Sequence, residues 1–259
     1  MNLCLDVGNS QIYGGLFDGK KLLFSFRRIT ERIASSDELG LFFRNVIKEN
    51  SFDPASVTSI GYCSVVPDIN HSLRNACLHY FDTEPFCLKA GVKTGLKISY
   101  KNQAEVGADR IADAIGAVDR YPGKNLIIID FGTATTVEAV TANHEYLGGA
   151  IAPGLRTSMS SLEKATARLP KVEILRPEKA CGRSTTESIQ SGLYWGHLGM
   201  IKELIRHYRK ECFPEGQDAT VVATGGFAGL YADTGIFDAI HPELVIEGIR
   251  IAQDMNQGG

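Results

Sequence analysis

The chain has 259 residues, 22% of them charged, and a net charge of −3. That length buries a substantial core and sits where one domain commonly divides into two, while the charge balance and the lack of any Lys/Arg run offer nucleic acid no footprint. The six cysteines, Cys4, Cys63, Cys77, Cys87, Cys181 and Cys212, are scattered without a C-x-x-C pair, which argues against structural zinc and disulfides and for a reducing cytosol. There is no basic leader and no apolar stretch of about 18 residues. The expectation is a cytoplasmic chain that meets neither membrane nor nucleic acid.

From the N-terminus, residues 2–6, 12–17 and 21–28 read as three strands joined by short turns, Asp18-Gly19 marking the second. Ser36-Asp37-Glu38 opens a helix carrying Leu39, Phe42, Phe43, Val46 and Ile47 at helical spacing. Residues 57–66 form a buried-type strand stopped by Pro67, followed by a helix through Leu73 and Leu78 and a short strand at Phe86-Cys87-Leu88. A helix over 107–121 leads into strands near 126–130, 135–141 and 145–149. A helical segment over 155–169 ends at Pro170, and Ser184-Thr185-Thr186-Glu187 has the form of a capping box starting a helix to about Tyr208. A strand at 220–223 runs into Thr224-Gly225-Gly226, after which another helix begins. No long linker interrupts the chain, so a boundary near 115 falls in or beside a helix, dividing it into domains 1–115 and 116–259.

The beginning of this order occurs twice, and so does a motif. Leu3-Cys4-Leu5-Asp6-Val7-Gly8-Asn9-Ser10 is echoed by Ile127-Ile128-Ile129-Asp130-Phe131-Gly132-Thr133-Ala134. Each copy is an apolar strand ending in Asp, an apolar residue, Gly and a small residue, after which a second strand begins. A glycine turn beside a carboxylate offers backbone N–H groups to phosphate while the carboxylate manages a cation. Two such turns point to a cleft between related halves that closes on a nucleotide. A single Asp-x-Gly would more simply be a capped turn, and it is the doubling that favours function.

The doubled hairpin resembles the actin, Hsp70 and sugar-kinase superfamily, whose halves are ribonuclease-H-like and follow a βββαβαβ order. Within it the chain resembles type III pantothenate kinases, bacterial enzymes that commit pantothenate to coenzyme A. The resemblance rests on Asp6-Val7-Gly8-Asn9-Ser10, Gly107-Ala108-Asp109-Arg110, Asp130-Phe131-Gly132-Thr133-Ala134, Gly148-Gly149-Ala150-Ile151-Ala152-Pro153-Gly154 and Gly182-Arg183-Ser184-Thr185. Two departures are mild: Ser10 stands where Thr is frequent, and Tyr62-Cys63 where small serines are common.

The resemblance implies ATP-dependent phosphorylation of pantothenate, with Mg²⁺ held by Asp6 directly or through water, and a monovalent cation, K⁺ or NH₄⁺, held by Asp130. It assigns Asp6, Val7, Gly8, Asn9, Ser10, Gly132, Thr133, Gly225 and Gly226 to ATP. Tyr100, Gly107, Ala108, Asp109, Arg110 and Thr185 go to pantothenate, with Asp109 as catalytic base. It also implies a homodimer whose pantothenate pocket is completed by the neighbouring subunit, with the Trp195 helix and the 159–169 segment as interface material. Each residue has a plainer reading. An acid in a helix's first turn stabilises the helix dipole, Arg110 suits a surface ion pair, Tyr100 a half-buried strand position, and Thr185 a helix start. Strand-end carboxylates such as Asp130 also occur as simple turn acceptors, and Gly225-Gly226 reads equally as a tight strand–helix turn.

Other signals fail. Gly14 to Lys21 has the G-x₄-G-K spacing of a P-loop, but Lys21 replaces the required Ser/Thr and the segment lies in a hairpin. The six histidines show no H-E-x-x-H or triad context. Two rival readings, a non-catalytic actin-like nucleotide-binding regulator and a same-fold kinase for another small hydroxylated metabolite, stay beside the main one. Asp109-Arg110 argues against the first, because a pure switch needs no hydroxyl-activating carboxylate.

Overall fold

Apolar residues on both faces make β1 (Asn2–Val7) a central strand: Leu3, Cys4, Leu5 and Val7 are all buried. β2 (Gln11–Asp18) and β3 (Lys21–Ile29) follow as an antiparallel meander, and β4 (Ser59–Ser64) and β5 (Phe86–Cys87) add in parallel on the other side. The sheet order is β3-β2-β1-β4-β5 in this computed structural model, which describes residues 1–165 and 169–257. α1 (Ser36–Glu49) is capped one residue earlier than Ser36-Asp37-Glu38 implied. The Ser35 hydroxyl accepts from the Glu38 N–H, and the Glu38 carboxylate accepts from the Ser35 N–H, a complete capping box. Pro67 does more than end a strand. It is the first residue of α2 (Pro67–Phe81), where a missing N–H costs nothing. α3 (Ala108–Arg120) buries Arg110 through Ala117.

The second sheet repeats the first. β6 (Lys97–Ile98), β7 (Asn125–Phe131), β8 (Ala134–Val140), β9 (Glu145–Pro153), β10 (Ala219–Thr224) and β11 (Ala239–Ile240) take the order β11-β10-β7-β8-β9-β6. β7 occupies the place of β1, with an antiparallel meander on one side and parallel β10 and β11 on the other. This is the duplicated ribonuclease-H-like α/β fold. α4 (Leu155–Ala165) covers the start of the expected 155–169 helix; residues 166–168 lie outside the described residues, and 169–170 are irregular. α5 (Thr185–Glu211) packs Ile189, Leu193, Leu198 and Ile201 on Ile127, Ile129 and Val137. Its cap is half of the expected box: the Ser184 hydroxyl accepts from the Glu187 N–H at 3.2 Å, but the Glu187 carboxylate reaches one residue further, to the Arg183 N–H at 2.7 Å. A 3₁₀ run over Ala228–Thr234 follows Gly226.

The sequence reading placed no element at the end of the chain, where α6 (Leu244–Gln257) stands. Its buried face, with Leu244, Ile246, Ile249 and Ala252, covers β1 and β4, and it crosses α3 closely enough that glycines are required. A Cβ on Gly248 would collide with the Ala112 carbonyl, and one on Gly116 would lie 2.6 Å from the Leu244 carbonyl. The compact units are therefore not the contiguous 1–115 and 116–259. One comprises residues 1–96, 101–119 and α6; the other comprises 97–100 and 120–242. No helix among the described residues is long and apolar enough to cross a membrane.

Candidate active site

In the first unit, β1 delivers Asp6 to the strand end, and the parallel register Asp6↔Cys63 sets the two side chains together. The Cys63 thiol donates to Asp6 Oδ1 at 3.3 Å. Burial pushes the Asp6 carboxyl up to about 7, the charge of Asp109 adds to the rise, and the Cys63 contact pulls it back. Burial likewise pushes the Cys63 thiol well above its ordinary range, assisted by Asp6, Asp109 and Asp113. Three acids thus act on one spot. Asp113, one helical turn after Asp109 and only 3% exposed, is a member that sequence reasoning missed. Asp109 lies in the first turn of α3, where its Oδ1 accepts the N–H of Arg110 at 2.8 Å. Gly107 makes room for that carboxylate, since a Cβ there would strike Oδ1. Arg110 is 6% exposed, which rules out the surface ion pair.

The turn after β1 differs in one respect from expectation. Val7 pairs with Ile12, leaving Gly8, Asn9, Ser10 and Gln11 as the loop. The Gly8 N–H donates to the Gln11 carbonyl at 3.1 Å, so it closes the turn instead of offering itself to phosphate. Thr30, just past β3, makes two bonds to this loop: its hydroxyl donates to the Gly8 carbonyl at 2.7 Å and its N–H to the Ser10 carbonyl at 3.1 Å.

In the second unit, Phe131 pairs with Thr135 and the loop shortens to Gly132, Thr133 and Ala134. The Thr133 carbonyl accepts the Gly154 N–H at 3.1 Å and the Thr157 hydroxyl at 2.6 Å. Gly154, at the end of the Gly148–Gly154 motif, admits this contact because a Cβ would lie 2.6 Å from that carbonyl. Gly225 closes on the Asp130 side. Its φ of +86° is a glycine conformation, and a Cβ would strike Asp130 Oδ1 and sit 2.6 Å from the Phe131 nitrogen. Asp130, Gly132, Thr133 and Gly225 are thus assembled at one end of this sheet, where β10 and β7 run side by side to the pair Thr224↔Asp130. Below it, the Thr135 hydroxyl and His197 Nε2 are 2.8 Å apart; burial lowers the pKa of that histidine.

Tyr100 lies against Gly148, whose φ of +121° falls where the β8–β9 register shifts by a bulge at Leu147. The segment leading to it is tied down by the Ser99 N–H on the Tyr146 carbonyl at 2.9 Å and by Glu145, which takes both the Lys97 ammonium and the Ser99 hydroxyl. Thr185 lies elsewhere in this unit. With Ser158, Leu162, Arg183, Ser184 and Ile189 it lines an open groove of about 1090 Å³ beside α4 and α5.

Among the described residues, no three His, Cys, Asp or Glu side chains form a ready cage for a metal ion. A Mg²⁺ ion needs no such cage, since it prefers one or two carboxylates with water and phosphate oxygens. Asp6 fits that role: a carboxyl whose pKa is raised by burial, and further by a second acid, gains most from a cation beside it.

The type III pantothenate kinase family model matches residues 2–207. The chain belongs to the type III pantothenate kinase family. It is 54% identical to a Legionella pneumophila type III pantothenate kinase over 256 residues, covering 99% of both chains. An Elusimicrobium minutum type III pantothenate kinase is 48% identical over 257 residues, again 99% of each. Among solved structures, a Campylobacter jejuni chain described as a Baf family transcriptional activator matches with a TM-score of 0.62 at 18% identity, over 99% of this chain and 100% of that one. A Sinorhizobium meliloti chain assigned as a 2-dehydro-3-deoxygalactonokinase matches with a TM-score of 0.56 at 10% identity, over 97% and 98%. At such identities these two speak to the fold alone. The matched span of the family model holds both hairpins, Gly107 to Arg110 and Gly182 to Thr185; Gly225, Gly226 and α6 lie beyond it.

Proposed function

We propose that this pantothenate kinase family member transfers the γ-phosphoryl group of ATP to the primary hydroxyl of pantothenate, the first step towards coenzyme A, with Asp109 as catalytic base. The observation that carries the reading is a buried Asp6 at the end of β1, bonded to Cys63 and within the electrostatic reach of Asp109, in a chain of this family. Phosphoryl transfer through a loose transition state asks for positioning and charge neutralisation more than covalent help. Asp109 supplies positioning: Oδ1 is held by the Arg110 N–H, which leaves Oδ2 to take the proton of the acceptor hydroxyl. The proton leaves late, so orientation outranks basicity. Mg²⁺ at Asp6 would neutralise charge on the transferring phosphoryl oxygens.

Asn9 and Ser10, on the turn that Val7 and Gly8 shape, hold the phosphates of ATP with Gly132 and Thr133, and Gly225-Gly226 the adenosine end. Asp130 holds a monovalent cation, K⁺ or NH₄⁺; its carboxylate lies against the Gly225 backbone, a setting suited to a weakly charged ion. Arg110 offers a guanidinium fork to the pantothenate carboxylate, Gly107 and Ala108 keep its approach unobstructed, and Tyr100 and Thr185 complete the acceptor contacts. The working form is a homodimer in the cytoplasm, the second copy completing the acceptor pocket. Support comes from exposed apolar residues, Ile151 at 65%, Trp195 at 39% and Leu162 at 38%, and from Gly192, Gly196 and Gly199, which leave open space along one face of α5.

Purified protein with ATP, Mg²⁺ and K⁺ is expected to release ADP only when pantothenate is added. ADP release on another small alcohol and none on pantothenate would overturn the acceptor assignment.

A further inference from the structure

Both hairpins carry the same unassigned device: a threonine hydroxyl and a backbone N–H from a later segment, donated to carbonyls of the turn. In the first unit Thr30 supplies both, to Gly8 and Ser10. In the second, Thr157 supplies the hydroxyl and Gly154 the N–H, both to Thr133. The N–H donors come from equivalent places, the residue after β3 and the residue after β9, where each continues the meander's pairing. The hydroxyls do not, coming from Thr30 itself in one case and from Thr157 in the first turn of α4 in the other. The duplicated strands therefore dictate the N–H contacts but not the hydroxyls.

We infer that Thr30 and Thr157 are positioning residues that hold the carbonyls of the two turns away from bound polyphosphate. A turn of this kind has two faces. Its N–H groups attract phosphate oxygens and its carbonyls repel them, and in a trans peptide the C=O and N–H bonds point in opposite directions. Pinning the Gly8 carbonyl on the Thr30 hydroxyl fixes that peptide plane, and the Asn9 N–H is turned to the opposite side. Gly8 cannot serve in its place, because its own N–H is bonded to Gln11. Without the struts the peptides could rotate and present oxygen to the nucleotide. The glycines that make each turn adaptable are the reason it needs fixing.

The inference rests on the ATP reading of the hairpins, and the test separates the two. Thr30→Val keeps the branched shape and removes the donor; Thr30→Ser restores it. The same pair is made at Thr157. Binding of a non-hydrolysable ATP analogue with Mg²⁺ is measured by calorimetry without pantothenate, beside KM for each substrate and thermal stability. Each valine variant is expected to weaken analogue binding and raise KM for ATP by about tenfold, as for one lost hydrogen bond. KM for pantothenate should stay within about twofold, and the serine variants should return to wild type. With both valines the losses should multiply. Unchanged analogue binding in the valine variants overturns the inference, as does an equal rise in both KM values with lowered stability that serine does not rescue. If wild type binds the analogue but does not phosphorylate pantothenate, the acceptor reading fails and the struts stand or fall on the binding data. If wild type binds no analogue, both fail.

Discussion

In the first hairpin the Asp6 carboxylate lies beside a thiol and in the field of a second acid, at the end of a four-residue turn. In the second, Asp130 lies against backbone: Gly225 presses on one oxygen and a Cβ on Gly132 would sit 3.1 Å from the other, at the end of a three-residue turn. The motif is shared, but the neighbours differ. A carboxyl whose pKa is raised by burial and by a second acid calls for concentrated positive charge, whereas one cradled by peptide groups suits a diffuse monovalent ion. Duplication fixed where each carboxylate stands; the surrounding segments decide its use.

The largest expected effect comes from a residue that only the first unit carries. Asp109→Asn should lower kcat by about 10²-fold or more while leaving MgATP binding intact, as for loss of a general base; calorimetry beside steady-state kinetics checks both halves. Next is the tight contact peculiar to the second hairpin. Gly154→Ala forces a Cβ onto the Gly132 and Thr133 carbonyls and should destabilise the protein by about 1–3 kcal/mol, read as a lower midpoint in urea. Gly8→Ala, whose Cβ would sit 3.2 Å from the Gln11 carbonyl at ordinary φ, should cost much less. Equal costs would remove that distinction between the hairpins.

A smaller effect follows from the Asp6 proton. Because folding raises this carboxyl from 3.8 to about 7, its ionisation works against the nucleotide-free fold; the penalty is absent well below the ordinary value, grows between the two and is complete above about 7. Asp6→Asn should therefore raise the melting temperature most above neutral pH, with the gain fading towards pH 4. A pH-independent shift would contradict the burial of that charge. Smallest is Cys63→Ala, which removes the thiol donor and should raise the Mg²⁺ requirement a few-fold, as a weak hydrogen bond lost, while Cys63→Ser keeps it.

The doubled Asp-x-Gly pattern made the architecture legible, because strand periodicity and glycine turns are local signals. α6 was not, since Leu244-Val245-Ile246 reads equally as strand or helix and Gly248 weakens the helical signal; only the α3 crossing explains that glycine. Asp109 and Gly107 stood out as a motif, but the partners of Asp6 and of its turn did not. Cys63 arrives through parallel register, and Thr30 through a bond across a hairpin, and neither contact leaves a trace in spacing. Gly154 was visible as a motif letter without a role until the Thr133 carbonyl was seen beneath it.

The division of labour between the hairpins is tested most directly by titrating K⁺ and Mg²⁺ separately against the activity of wild type and Asp130→Ala. The expected result is a blunted K⁺ response and weakened ATP use in the variant, with its Mg²⁺ midpoint close to that of wild type. An unchanged K⁺ titration, or a Mg²⁺ midpoint displaced as far as the K⁺ one, would contradict it.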